Sequence, residues 1–173
     1  RNGAYDAMRP LRQAQDKPIL QAQGKLFAGF PSKTSYTALP TPFFKELLPQ
    51  IDDLVELKVT LYVLQRLIRK GGQPRLVSYP ELAADHLLLK SLPPPEEEAL
   101  RQGLEKAVKR GTILHLTVEL GKKSLELYCL NSEKDKEGLE KLRRGELPLG
   151  ELPAGAELII SESAPGGPPL RFR

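Results

Sequence analysis

Six basic residues fall into two groups whose spacing suits contact with phosphate. Four lie on one predicted helix and two form a pair in a predicted turn: Arg101, Lys106, Lys109, Arg110, Lys122 and Lys123. Arg and Lys side chains neutralise the phosphates of nucleic acids and supply most nonspecific binding. The alternative is a solvated helix face of mixed charge, with a lysine pair that only keeps a hairpin tip soluble. Both interpretations stay open from the sequence.

The first turn of the same predicted helix argues against the reading of bases. A helix that reads bases in the major groove commonly directs its N-terminal part towards the base edges. Here that part is Glu96-Glu97-Glu98, which would bring three negative charges to the phosphates. Glutamates at this end complement the helix dipole, and consecutive helical residues point in different directions, so they do not form a metal site. We therefore expect any DNA contact to be largely nonspecific and auxiliary.

Four of the five phenylalanines lie within eighteen residues. They are Phe27, Phe30, Phe43 and Phe44. Phe43 and Phe44 point about 100° apart on a helix, so one helix packed on a core buries only some of these rings. At least one ring is then left for another surface, and aromatic anchors carry much of the energy of an interface. The pattern predicts self-association through these residues; the alternative is that all four rings fold back on their own domain.

The residues that most often perform catalysis have no partners at useful spacing. His86 and His115 lack a nucleophile or carboxylate partner in the sequence, and Cys129 is the only cysteine. We interpret both histidines as surface or rim residues and Cys129 as a buried, inert thiol. The sequence therefore predicts a protein that is not an enzyme and that uses no metal and no cofactor.

The positive charge is concentrated outside the predicted globular part. The chain has 173 residues and a net charge of +4. Residues 1–41 hold six Lys/Arg and two Asp/Glu, residues 42–130 hold thirteen and twelve, and residues 131–173 hold seven and eight. DNA contact by the globular part must therefore come from a local patch. No apolar run approaches the roughly 20 residues of a membrane span, so we expect no membrane partner.

The strongest helical signal follows Asp52 and Asp53, either of which can cap the helix. Its apolar stripe has spacings of three and four and consists of Leu54, Leu57, Leu61, Leu64 and Ile68. This stripe predicts the central core helix, with Leu61 buried, and Gly71-Gly72 ends it. A shorter helix opens at Thr41-Pro42, where Thr41 can act as the cap.

The rest of the chain predicts a small sheet among further helices. A short strand over residues 75–78 precedes one or two helical pieces capped by Ser78, and a helix covers residues 96–110 with Leu104 buried and Gly111 as its stop. The period then changes to two over residues 112–130, which predicts a hairpin whose turn is residues 121–124. A last helix starts after Ser132, and residues 156–160 form a candidate stray strand. The order predicts an α+β fold, mainly α, namely a winged helix-turn-helix whose three-stranded sheet joins the short strand to the wing hairpin.

The wording of several segments resembles the N-terminal winged-helix domain of DnaD-like bacterial replication-initiation (primosome) proteins. The resemblance covers residues 27–147, and the segments that carry it are Gly29-Phe30-Pro31, Thr41-Pro42-Phe43-Phe44, the run from Leu47 to Leu54 and the run from Glu56 to Leu61. It implies a domain that self-associates and binds other initiation proteins. It also implies that much of the DNA binding lies in a second, helical domain whose motif includes a Tyr and a Trp. This sequence has no Trp, so we expect that domain to be missing.

These observations predict three regions and a working function. The regions are a flexible N-terminal tail over residues 1–26, a winged-helix domain over 27–147 with an N-terminal arm and a C-terminal helix, and a Pro/Gly-rich linker or tail over 148–173. The predicted function is a non-catalytic oligomerisation and partner scaffold in the cytoplasm, associated with the nucleoid. The alternative is a winged-helix transcription regulator that binds duplex DNA directly.

Overall fold

The structure is a computed structural model that describes residues 26–120, 122–146 and 160–162. The chain divides into two units, Arg1–Tyr36 and Thr37–Arg173. Most of the predicted tails, residues 1–25 and the greater part of 148–173, lie outside the described residues. In the first unit, residues 26–31 form neither helix nor strand, and the rings of Phe27 and Phe30 meet edge to face with their centroids 4.9 Å apart.

The second unit combines helices with an antiparallel sheet, and about half of the described residues are helical. A π-helical turn, Phe43–Leu47, and a 3-10 turn, Leu48–Gln50, precede the longer helices. The α-helices are α1 (Leu54–Arg69), α2 (Tyr79–Ala83), α3 (His86–Lys90), α4 (Glu96–Arg110) and α5 (Glu133–Arg143). In the described part of the chain, no helix combines the length and the apolar character needed to cross a membrane.

Most of the predicted helix ends are confirmed by their hydrogen bonds. The carboxylate of Asp53 accepts from the backbone N–H of Val55 at 2.7 Å, which starts α1. Ser78 and Glu81 form a reciprocal capping box at the start of α2, a pattern that satisfies two otherwise unpaired donors. Gly111 ends α4 with φ of +81°, a left-handed conformation that glycine adopts without strain. The predicted cap at Thr41 is wrong, because no side chain caps the turn that follows it.

The buried face of α1 differs from the predicted stripe. Leu64 is 2% exposed, but Leu61 is 37% exposed and Leu54 is 63% exposed. The residues of α1 that the domain buries are Glu56, Val59, Thr60, Val63, Leu64 and Leu67. The prediction that Leu61 belongs to the core is therefore wrong. The buried face of α1 therefore carries Val59, Val63 and Glu56 in place of Leu54 and Leu61. Glu56 can occupy a buried position because Arg110 forms an ion pair with it.

The predicted three-stranded sheet is present, and a fourth strand extends it. Strands β1 (Leu76–Ser78), β2 (Ile113–Leu120), β3 (Lys123–Leu130) and β4 (Ile160–Glu162) are ordered β1-β3-β2-β4, and all neighbours are antiparallel. Lys123 already pairs with Leu120, so Lys123 and Ser124 belong to the strand and not to the predicted turn. Of the stray strand predicted over 156–160, residues 156–159 lie outside the described part, and Ile160 is the first residue of β4.

The two faces of the sheet separate two apolar clusters. The first cluster joins α1, α2, α3 and α4 to one end of the sheet and includes Leu104, which is 1% exposed, as the sequence predicts. The second lies on the face that carries Leu114, Leu116 and Val118, and α5 covers it with Leu139 and Leu142. The alternation of the hairpin residues is therefore confirmed, because successive strand residues point to opposite faces.

Two glycines and one ion pair fix how the helices sit. A Cβ at Gly103 would lie 2.6 Å from the side chain of Val59, so α4 approaches α1 closely at this point. A Cβ at Gly138 would lie 2.5 Å from the backbone nitrogen of Pro74, so α5 sits directly on the loop before β1. Asp135, which is 1% exposed, accepts a hydrogen bond from the Arg75 guanidinium at 2.7 Å and holds α5 there. Burial by itself raises the pKa of Asp135, but the hydrogen bonds from Arg75 bring it below its ordinary value.

Candidate interaction surfaces

Helix α4 occupies the position that the sequence assigned to a recognition helix. Its buried face of Leu100, Leu104 and Ala107 packs into the first cluster, and its first turn carries three exposed glutamates. No side chain caps this turn, because Pro95 occupies the cap position. The carboxylates of Glu96, Glu97 and Glu98 therefore face the positive end of the helix dipole. A DNA backbone at this end of α4 would meet negative charge.

Arg101 is held against the sheet and the start of α2. Its guanidinium lies 4.0 Å from the centre of the Tyr79 ring, a geometry in which the ring face attracts the cation. The same group lies 3.4 Å from a carboxylate oxygen of Glu126 on β3. This predicted DNA-contact residue is therefore engaged with an aromatic ring and an acid of its own domain.

Two further basic residues of α4 pair with acids at the start of α1. The Lys106 ammonium donates to the carboxylate of Asp53, and this contact raises the pKa of Lys106 and lowers that of Asp53. The Arg110 guanidinium donates two hydrogen bonds to Glu56, one of them 3.0 Å long. Glu56 is 1% exposed, so this second pair is buried on its acidic side.

The structure brings three of the six predicted DNA-contact residues together, whereas Arg101 and the two lysines of the hairpin lie elsewhere. Lys106, Lys109 and Arg110 line a depression of about 400 Å³ at the C-terminal end of α4, whose opposite wall is Asp52, Asp53 and Glu56. Lys109 makes no ion pair within the part of the chain that the structure describes. Lys122 and Lys123 are exposed at the hairpin tip. A strand rises about 3.3 Å per residue, so the eight residues of β2 put the tip roughly 25 Å along the sheet from the end of α4.

The four phenylalanines of the predicted self-association surface differ in exposure. Phe43 is 3% exposed and belongs to the core, whereas Phe44 is 54% exposed. The two rings meet edge to face with centroids 5.2 Å apart. Phe27 and Phe30, in the other unit, are 73% and 83% exposed. Three large rings are therefore accessible to another molecule, and self-association through them stays a prediction.

The histidines and the cysteine occupy the positions that the sequence indicates. His86 is exposed at the start of α3. His115 lies at the rim of the first cluster, stacked on the Tyr128 ring with centroids 5.0 Å apart, and burial lowers its pKa. Its ring nitrogen is 3.5 Å from a carboxylate oxygen of Glu126. Cys129 is fully buried.

Sequence reasoning missed the acids that hold the basic residues of α4. Helical spacing could have identified Glu56, because it lies three residues before Val59 and seven before Val63 and therefore shares their helix face. A pattern that scores only apolar residues discards such a glutamate. Asp53 was recognised as a cap, but its second role as the partner of Lys106 depends on α4 crossing α1, which the local sequence does not specify.

Comparisons with protein-family models, with curated proteins and with solved structures found no significant match to this chain. The structure therefore defines only a broad fold class, a mixed α and β fold with an antiparallel sheet.

Proposed function

We propose that the chain contains a winged-helix module of a DnaD-like replication-initiation protein, acting as an oligomerisation and partner scaffold without catalysis. In this proposal β2 and β3 are the wing, and α4 takes the recognition position. DNA contact is auxiliary and nonspecific, and the module works in the cytoplasm near the nucleoid, with other initiation proteins as partners. The element order and the pairing of β1 with the hairpin support this assignment of the elements.

One observation carries the choice of a scaffold over a DNA reader. Three of the four basic residues of α4 that would face DNA, namely Arg101, Lys106 and Arg110, are paired with acids of the same domain. A phosphate would have to compete with those acids for each cation, and the pair with Glu56 is buried. Meanwhile Phe27, Phe30 and Phe44 expose large aromatic surface, which is the composition of an interface and not of a DNA groove.

Sedimentation of the full chain tests the oligomerisation that this function requires. We expect reversible self-association at tens of micromolar, and we expect Phe30→Ala and Phe44→Ala each to weaken it about tenfold, because aromatic anchors dominate interface energies. Tyr36→Ala is the matched control, since Tyr36 is an exposed aromatic residue, 91% accessible, outside the predicted surface. A chain that stays monomeric in this range, or that responds equally to all three changes, contradicts the proposal.

Salt dependence tests the DNA part of the proposal and separates it from the transcription regulator. We expect binding of duplexes of unrelated sequence with similar, weak affinity. Changing both Lys122 and Lys123 to Ala should weaken all duplexes equally and reduce the slope of log K against log salt by about 2, near 0.9 for each phosphate that is no longer neutralised. The double change Lys134→Ala with Lys136→Ala removes the same charge from the exposed side of α5 and should leave the slope unchanged.

Measurement of both variants by fluorescence anisotropy over a salt series decides the matter. Nanomolar binding of one preferred duplex at physiological salt would favour the transcription regulator. An equal loss in the α5 variant would show that only the net charge of the chain matters and not the hairpin tip.

A further inference from the structure

An open apolar groove lies between α1 and α3. Its volume is about 390 Å³, and its lining consists of Thr37, Leu39, Leu61, Tyr62, Gln65 and Leu87. Two of its leucines are unusually accessible for large apolar residues, with Leu61 37% and Leu87 70% exposed. An accessible apolar surface with a concave shape is typical of a contact with another molecule.

Three polar bridges fix the walls of the groove. The Lys58 ammonium donates to the backbone oxygen of Ser91 at 2.6 Å, and the Tyr62 hydroxyl donates to the backbone oxygen of Leu87 at 3.3 Å. One turn further along α1, Arg66 donates to the carboxylate of Asp85 at 3.0 Å. The donors are four residues apart and therefore form one stripe of α1 that faces α3. These bonds hold together α1 and α3, which form two sides of the groove.

The rim of the groove is basic. The only acidic residue of α1 is Glu56, which is buried and paired with Arg110. Lys90 follows Leu87 by three residues on α3, and Arg69 follows Gln65 by four on α1, so both lie beside the groove lining. Within the described residues neither Lys90 nor Arg69 forms an ion pair.

We propose that this groove binds an acidic amphipathic helix of a partner protein. Apolar side chains at i, i+3 or i+4 and i+7 would pack on Leu61 and Leu87, as in other helix-in-groove contacts. Carboxylates on the flanks of that helix would meet Lys90 and Arg69. This assignment rests on the proposed scaffold function and names the chemistry of one of its partners. A second copy of the chain is disfavoured, because a two-fold contact through this face would bring the two basic rims towards each other.

A pair of synthetic peptides tests the proposal on the full chain. The first is a fluorescein-labelled helical peptide with leucines along one face and glutamates on the other, and the second has lysines in place of the glutamates. We expect the glutamate peptide to bind at least about tenfold more tightly at low salt, with the difference shrinking as salt screens the rim. Fluorescence anisotropy measures both affinities.

Matched variants locate the binding. Leu87→Glu and Lys90→Glu should each weaken the glutamate peptide about tenfold or more. Leu54→Glu places the same charge on an exposed leucine of α1, 63% accessible, which does not line the groove, and should change the affinity less than about twofold. Circular dichroism checks that each variant is folded. If Leu87→Glu does not fold, Lys90→Glu, which alters no apolar residue, still tests the site.

The remaining outcomes overturn the proposal. They are no binding of the glutamate peptide, equal binding of both peptides, or an equal loss in Leu54→Glu. If Leu87→Glu instead abolishes self-association while no peptide binds, the occupant is a second copy of this chain. The peptide test and the sedimentation test can fail independently. A monomeric chain that still binds the glutamate peptide contradicts the proposed oligomerisation but supports the groove assignment.

Discussion

Leu64→Ala is expected to lower the free energy of unfolding by about 2–5 kcal/mol, the range for a large-to-small change in a packed core. Leu64 is 2% exposed on α1, so the lost methyl groups leave a cavity that the neighbouring helices fill only in part. Denaturant unfolding followed by circular dichroism measures the change as a shift of the midpoint at unchanged slope.

Leu61→Ala is the matched control for this prediction. The residue type, the helix and the substitution are the same, and both leucines lie in the stripe that the sequence predicts to be buried. Leu61 is 37% exposed, so we expect a loss below about 1 kcal/mol. Equal losses at Leu61 and Leu64 would show that α1 buries the predicted stripe and not the observed face.

The contrast between these two leucines shows what local sequence can specify. Periodicity correctly located α1, and capping and glycine rules located its ends, because those depend on neighbours along the chain. Which face of α1 is buried depends on contacts with residues distant in the sequence. The main ones are the close approach of Gly103 to Val59 and the pairing of Glu56 with Arg110. Both are contacts between α1 and α4, and no pattern within α1 contains them.

For the predicted DNA-contact residues, the sequence likewise specifies part of the answer. The positions of Arg101, Lys106 and Arg110 on one helix and of Lys122 and Lys123 at a hairpin tip followed from the sequence. Their availability did not, because each acid that holds α4 lies at least 25 residues away along the chain. The groove was missed for a related reason, since it forms where α1 and α3 pack together without covering Leu61 and Leu87.

Arg110→Met is expected to destabilise the domain by about 3–5 kcal/mol, which is the effect of leaving a buried charge without its partner. Glu56 is 1% exposed and accepts both hydrogen bonds of the Arg110 guanidinium. Methionine keeps most of the apolar stem of arginine, so the loss reports the charge and not the packing. Thermal and denaturant unfolding at neutral pH measure it.

Lys106→Met provides the comparison, because it breaks the neighbouring pair between the same two helices. The Lys106 and Asp53 side chains are 48% and 27% exposed, and ion pairs this accessible to solvent contribute little to stability, so we expect a much smaller loss than for Arg110→Met. The two variants remove one positive charge each from adjacent turns of α4, so a general effect of net charge would be equal in both. Similar losses would contradict the burial of Glu56.

The double variant Glu56→Met with Arg110→Met separates the strength of the ion pair from the cost of orphaning its buried member. With both charges gone, nothing needs to be neutralised, and two apolar side chains replace a pair whose desolvation cost is high. Buried ion pairs exchanged for apolar residues of similar volume are often neutral or more stable, so the double variant should recover most of the stability that Arg110→Met loses. If the double variant recovers none of that stability, the contribution of the Glu56–Arg110 pair to the packing of α1 on α4 exceeds the mere neutralisation of Glu56. If it recovers fully, the same double variant gives a folded domain without this α4 arginine, in which DNA affinity should be unchanged, because Arg110 is already occupied by Glu56.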